Sequence, residues 1–288
     1  MSRGDDAVVE RTVLAQGFGF VEGPRWRDDR LFFSDMGSKQ VLTVDLDGVV
    51  EEVCVVEGRP SGIGWLPDGR MLVVSMNDRR VVRLEPDGTL VEHADISGLA
   101  SAPCNDMVVD TRGHAYVGNP GYDMRNPPSP LPTAELVHVR PDGSAEVADR
   151  SVLFPNGSAV TPEGRTLIVA ETMARRLTAF TIGDDGTLSD RRTYADLPGR
   201  GPDGIALDAE GAVWVADAFG DACVRVREGG EITDVVDTGR GCFACALGGP
   251  DRRTLFLLTG QGFSGAAIRT RTAAIETLPV PTPGAGLP

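Results

Sequence analysis

Nowhere in these 288 residues does an apolar run approach the ~20 residues that a membrane-spanning helix needs. The opening MSRGDDAVVE has neither the basic nor the apolar region of a secretion signal, so the expected location is the cytoplasm. Positive charge is scarce: 28 Lys and Arg stand against 42 Asp and Glu, a formal net charge of −14. Such a surface repels phosphate backbones and anionic lipid, which argues against nucleic acid and membranes as partners. No stretch sustains a 3.6-residue apolar period, which argues against a helical protein. The Cys242-x-x-Cys245 pair has neither a second cysteine pair nor nearby histidines, so a zinc site is not expected. The five cysteines are an odd, scattered set that suits reduced, buried thiols rather than disulfides or a redox pair. Asn156-Gly157-Ser158 matches a glycosylation acceptor but has no secretion signal to give it meaning. Arg3-Gly4-Asp5 reads as a chance tripeptide on a frayed end.

What the chain does have is turn formers, with 36 Gly and 20 Pro, and a repeat. Six segments share one pattern of two short apolar runs around a tight turn: EGPRWRDDRLFFSD from Glu22, SGIGWLPDGRMLVVS from Ser61, NDMVVDTRGHAYVGN from Asn105, NGSAVTPEGRTLIVAE from Asn156, DGIALDAEGAVWVAD from Asp203 and FACALGGPDRRTLFLLT from Phe243. Most are followed by a third strand, such as QVLTVDLDG or RVVRLEPDG, and then by a weaker, more polar fourth, such as EITDVVDT. Four antiparallel strands at a period of roughly 40 to 50 residues predict a β-propeller. The expected fold is therefore all-β: one six-bladed domain spanning 1–288, ordered from about residue 8 to 278, with 279–288 a loose Pro- and Gly-rich tail. The strand VVERTVLAQ precedes the first full repeat and is expected to complete the last blade, closing the ring and hiding its edges. A β-sandwich with coincidental turns would not produce six copies in phase.

The first residue of each repeat begins an innermost strand, so all six should ring the central channel at one end. They are Glu22, Ser61, Asn105, Asn156, Asp203 and Phe243. A purely structural core would be apolar there. Carboxylates gathered near an axis repel one another and lose hydration, and a bound cation relieves both costs. The donors are hard oxygens, which suits one divalent ion, Ca²⁺ first, with Mg²⁺, Mn²⁺ or Zn²⁺ as alternatives. The competing reading is that these side chains only cap strands and bond to loop backbone. The second-strand ends lead to loops on the same face. Residues 118–134 form much the longest, either a lid or surface decoration, and Tyr122, Met124, Phe219 and Phe263 are candidates for apolar walls around a substrate.

At these residues the chain resembles the SMP-30/gluconolactonase/LRE-like family of six-bladed propellers. The resemblance rests on EGP at 22–24, ND at 105–106, NG at 156–157, PDG at 202–204 and CFACALGGPDRRTLF at 242–256. It implies one divalent metal held by Glu22, Asn156 and Asp203, a catalytic acid/base role for Asp203, and contact of Asn105 with substrate or metal-bound water; Ser61, the slot before it in the ring, is a further substrate-binding candidate. It also implies hydrolysis of a small-molecule lactone. One position departs: sugar-lactone members often carry an Arg two residues before the third-blade Asn, where this chain has Pro103. That departure and the aromatic loops favour a substrate less polar than a sugar lactone. The histidines His93, His114 and His138 lie within strand patterns away from the slots and read as half-buried strand residues rather than a catalytic base. Two other readings stand beside the lactonase: a binding module with a structural Ca²⁺, and an enzyme using the same site for isomerisation or cyclisation. Neither the substrate nor an oligomeric state is set by the sequence.

Overall fold

The structure, a computed structural model, describes residues 11–286. It contains six four-stranded antiparallel sheets. In five of them the strands follow chain order outward from the axis. The inner strands are Val21–Arg27, Pro60–Trp65, Met107–Val109, Pro155–Val160 and Pro202–Leu207 for blades one to five. Blade six begins with Gly241–Gly248 and is completed from outside by the N-terminal strand Thr12–Phe18, which pairs with Ala273–Pro279. The chain thus closes as a six-bladed β-propeller. Residues 8–10 of the expected closing strand, and the Arg3-Gly4-Asp5 tripeptide, lie outside the described residues.

The core is not one mass but six apolar clusters, one at each junction between neighbouring blades. Ile63, Val73 and Val41 join blades one and two, for example, and Leu31, Phe33, Phe256 and Leu258 join blades six and one. A sheet with two apolar faces has to be covered on both, and the ring does this for every blade at once.

The inner strands approach unusually closely, and the residue after four of the six slots is a glycine for that reason. A Cβ on Gly157 would lie 2.5 Å from the Asp203 carbonyl oxygen and 2.6 Å from the Gly204 Cα, both backbone atoms of the next blade. A Cβ on Gly62 would overlap the Met107 backbone nitrogen. In three blades a buried carboxylate at the end of the second strand ties down the segment before the first. Asp35 accepts from the backbone N–H groups of Gly19 and Phe20, Asp217 from that of Gly201, and Glu171 from that of Leu153.

Two features depart from the expectations. The terminal segment is anchored rather than loose as far as residue 286: Val280 is buried, the Gly284 and Ala285 N–H groups donate to Arg252 and Leu207, and the Pro283 carbonyl accepts from Ala209. The loop after the second strand of blade six contains a short helix, α1 (Gly265–Thr270), whose N-cap Ser264 side chain accepts from the Ala267 N–H. Among the described residues no helix is long and apolar enough to cross a membrane.

Candidate functional site

In blades one, two, four, five and six the pairing register of the first two strands slips at the slot, between Glu22 and Arg25, Pro60 and Ile63, Pro155 and Ser158, Pro202 and Ile205, and Cys242 and Ala244. A bulge takes a residue out of the regular alternation and re-aims its side chain. That explains how an Asn or Asp is accommodated at the second position of an inner strand. Blade three differs: its inner strand is only three residues long, and Asn105 sits in extended chain just before it.

The slots are linked by hydrogen bonds across blades. Ser61 Oγ donates to Asn105 Oδ1 (3.3 Å), Asn105 Nδ2 donates to Asn156 Oδ1 (2.8 Å), and Asn156 Nδ2 donates to Thr172 Oγ1 (3.2 Å). Thr172 Oγ1 in turn donates to the Pro202 carbonyl oxygen (2.7 Å), which leads to Asp203. The chain of contacts orients both amides, so each Asn presents its carbonyl oxygen in one defined direction. Glu22, Asn156 and Asp203 are buried, and Asn105 is half-buried.

The electrostatics of this hub are unfavourable by themselves. Burial, and then the nearby charges of Asp203 and Asp106, hold the Glu22 carboxyl well above the ordinary carboxylate range. Burial and Asp106 push Asp203 upward as well, partly offset by the nearby Asn156 amide. Asp203 Oδ1 is buried without a hydrogen-bond partner among the described residues. An orphaned carboxylate oxygen in a buried group is costly unless a cation or proton meets it. Among the described residues no three His, Cys, Asp or Glu side chains are grouped to hold a metal. The set that could hold one is two carboxylates and an amide, all hard oxygen donors, and the orphaned oxygen and the raised carboxyls fit a hard divalent cation.

Two further hub residues carry charge. Arg25, the fourth residue of EGPRW, is buried and forms an ion pair with buried Asp106 (3.3 Å), donates to the Met107 carbonyl (2.6 Å), and donates to the Pro24 carbonyl (2.9 Å). Asp106 also accepts from the Met107 N–H (2.7 Å). Burial raises its carboxyl against the pull of Arg25. Sequence reasoning gave neither residue a role. The available signal was a basic residue within an inner strand, where the crowded centre otherwise carries small or apolar side chains.

The other expected residues are spread around the mouth. Tyr122 is buried at the base of the 118–134 loop, edge-on to Phe154 at 6.4 Å between ring centres. Met124, in the same loop, is 42% exposed. Phe219 is 52% exposed and covers Gly201. Phe263 is 55% exposed, edge-on to Phe20 at 6.5 Å. Phe243, the sixth slot, is packed with Phe20 and Met36 in a seventh apolar cluster at the mouth, bordered by Met76, Ala218 and Ile268. The aromatic and apolar residues of that cluster other than Phe243 were not singled out, because Phe20 and Met36 lie in loops and Ile268 on a six-residue helix too short to show a period. A surface hollow lined by Trp26, Arg27, Trp65 and Arg252 opens at the hairpin turns on the opposite face.

All three histidines are buried rather than half-buried. His114 and His138 share a hydrogen bond of 2.9 Å between blade three's second and third strands. His114 immediately precedes its strand, Ala115–Val117, at the end remote from the slot. All five cysteines are free and buried; Cys223 of blade five packs with Cys242 and Cys245 in one apolar cluster, where Cys245 Sγ donates to the carbonyl oxygens of Gly204 (3.6 Å) and Trp214 (3.5 Å). Burial raises the Cys223 thiol, as expected of an unreactive core group.

Comparison with known proteins agrees with this architecture. The family description "SMP-30/Gluconolactonase/LRE-like region" matches residues 20–261. The pentonolactonase XacC of Haloferax volcanii is 26% identical over 84% of this chain and 81% of its own. Regucalcin of Danio rerio is 26% identical over 82% and 81%. Among solved structures, the calcium-binding protein regucalcin of Agrobacterium tumefaciens superposes with a TM-score of 0.82 at 19% identity, covering 97% of each chain. With a family match running from before the first slot to beyond the last, this chain belongs to the SMP-30/gluconolactonase/LRE-like family.

Proposed function

We propose that this protein is a lactonase: it opens a cyclic ester with water at a divalent metal held by Glu22, Asn156 and Asp203. The observation that carries the reading is the buried, unpartnered Asp203 Oδ1 beside a second buried carboxyl, Glu22, and an oriented amide, Asn156. The lactonase names of relatives such as the Haloferax volcanii enzyme support the substrate class. When bound, the metal supplies Lewis acidity, which polarises the ester carbonyl and stabilises the charge that develops on it.

The chain's own residues do the rest. Asn105 is half-buried at the mouth and fixed by Ser61 and Asn156, so its side chain is positioned to orient the ester. Asp203 takes a proton from the attacking water. As the carbonyl carbon gains the water oxygen and the ring C–O bond breaks, Asp203 returns that proton to the departing ring oxygen, leaving a hydroxy acid. A carboxylate facing the reacting ester can make both transfers in turn. Calcium is the first choice of ion for an all-oxygen donor set of mixed charge, with Mg²⁺, Mn²⁺ and Zn²⁺ as competitors.

The test is a panel of lactones, from sugar to alkyl and aryl, assayed after chelation and after return of each of the four ions. Asp203→Asn and Glu22→Gln should abolish metal-restored turnover and weaken metal binding by calorimetry while the fold is retained. Unchanged metal affinity in both variants overturns the site. A second reading, a calcium-holding propeller without hydrolysis, is favoured by the regucalcin likeness, and metal binding without turnover of any ester would select it.

A further inference from the structure

The ring of slots has two unlike halves. On one side Ser61, Asn105, Asn156 and Thr172 present a continuous run of oxygen and nitrogen atoms from blades two to four. On the other, at blades six and one, the slot itself is Phe243. Its ring lies 4.9 Å from that of Phe20, which meets Phe263 edge-on, and Met36, Met76, Ala218 and Ile268 pack around the pair.

The outer part of this wall is carried by α1. Ser264 caps the helix, Arg271 ends it in the left-handed conformation and donates from Nε to the Gly17 carbonyl (2.8 Å), and Ile268 is set down over Gly19 and Gly37. A Cβ on either glycine would lie within 3.3 Å of the Ile268 methyl. The helix itself buries no residue, and Phe263 just before it is 55% exposed. The protein therefore holds a large aromatic side chain in water next to its hub, and an exposed apolar patch bordering a site is the kind of surface a ligand covers.

We infer that the substrate is a lactone bearing an unhydroxylated alkyl or aryl arm, its ester over the Asn105–Asn156 side and its arm laid on exposed Phe263 and half-buried Ile268, above the buried Phe20–Phe243 pair. The inference rests on the lactonase reading and specifies it. An arm carrying hydroxyls would have to strip them of water where they meet aromatic and aliphatic side chains, a penalty that grows with each hydroxyl. An alkyl arm gains instead, roughly three- to fourfold in kcat/KM for each methylene covered.

The experiment uses the metal-loaded protein and a series of γ-lactones with arms from none to eight carbons, with gluconolactone alongside. Expected is a kcat/KM that climbs with arm length until the wall is covered, and a clear preference for the longest arms over gluconolactone. Phe263→Ser with Ile268→Ser, one just before and one on a helix that buries nothing, should lower the ratio of long-arm to armless kcat/KM at least tenfold. Phe243→Thr should do so too. Val235→Ser, an exposed apolar residue elsewhere, should leave the ratio alone. Calorimetry with the matching alkyl γ-lactams, which are not opened, reads the wall independently of turnover. Lactones opened with no dependence on arm length, or a ratio unmoved by the wall variants, overturns the inference while the lactonase reading stands. Lactams bound more tightly with longer arms, with no lactone opened, supports the wall and sinks the lactonase reading.

Discussion

Replacing Arg25 by methionine isolates the least obvious feature of the hub. Arg25 and Asp106 are both buried, so neither charge is relieved by bulk water when its partner is lost. Methionine keeps much of the volume but leaves Asp106 with only the Met107 N–H (2.7 Å) beside two other buried carboxyls, Glu22 and Asp203. Removing one partner of a buried pair typically costs about 3–5 kcal/mol, because the survivor is stranded rather than because the pair was itself a large gain. At about 2–4 °C per kcal/mol for a chain of this size class, Arg25→Met should lower the melting temperature of the chelated protein by about 6–20 °C. Asp106→Asn in the same chain removes the stranded charge and should recover most of that loss, with a coupling of at least ~2 kcal/mol in the double-mutant cycle. The assay is thermal unfolding of wild type, both single variants and the double variant in the presence of a chelator. Metal titration adds a second readout. Three hub carboxyls offset by one guanidinium suit a divalent ion, so Arg25→Met should bind that ion more tightly as it folds less stably. A loss below ~1 kcal/mol, or additive single effects, would refute the claim that the pair is a buried, mutually dependent unit.

Other outcomes follow from the same geometry. Glu22 and Asp203 are raised in the folded state, so on folding they hold protons that the unfolded chain releases. Their contribution to stability is present below the ordinary carboxylate pKa and fades as pH rises through the folded values. The chelated protein should lose stability from pH 5 to pH 8 relative to Glu22→Gln/Asp203→Asn, and added Ca²⁺ should remove that difference; parallel unfolding curves across the range would count against a charged hub. Gly157→Ala should destabilise by about 1–3 kcal/mol, read by urea unfolding, because its Cβ meets backbone of the neighbouring blade. Ser264→Ala should cost about 1 kcal/mol in local helix stability, read as faster hydrogen exchange across Gly265–Thr270.

What the amino-acid sequence determined by itself was everything that repeats. A hairpin is made of residues a dozen apart, and its alternation and turn chemistry are written locally, so six in-phase copies specify six blades, their order and the ring of slots. Closure was legible too, because a strand before the first repeat had only the last blade left to pair with. The tertiary structure alone decided what occurs between blades. Arg25 meets Asp106 across 81 residues of chain, the Pro- and Gly-rich end is pinned to a hairpin turn of blade five, and Phe20, Met36, Phe243 and Ile268 meet at the mouth from four separate segments. None of these pairings leaves a periodic trace, because each occurs once. They depend on how closely glycine lets the inner strands approach and on where the slot bulges turn individual side chains, and both are settled only when the ring is closed.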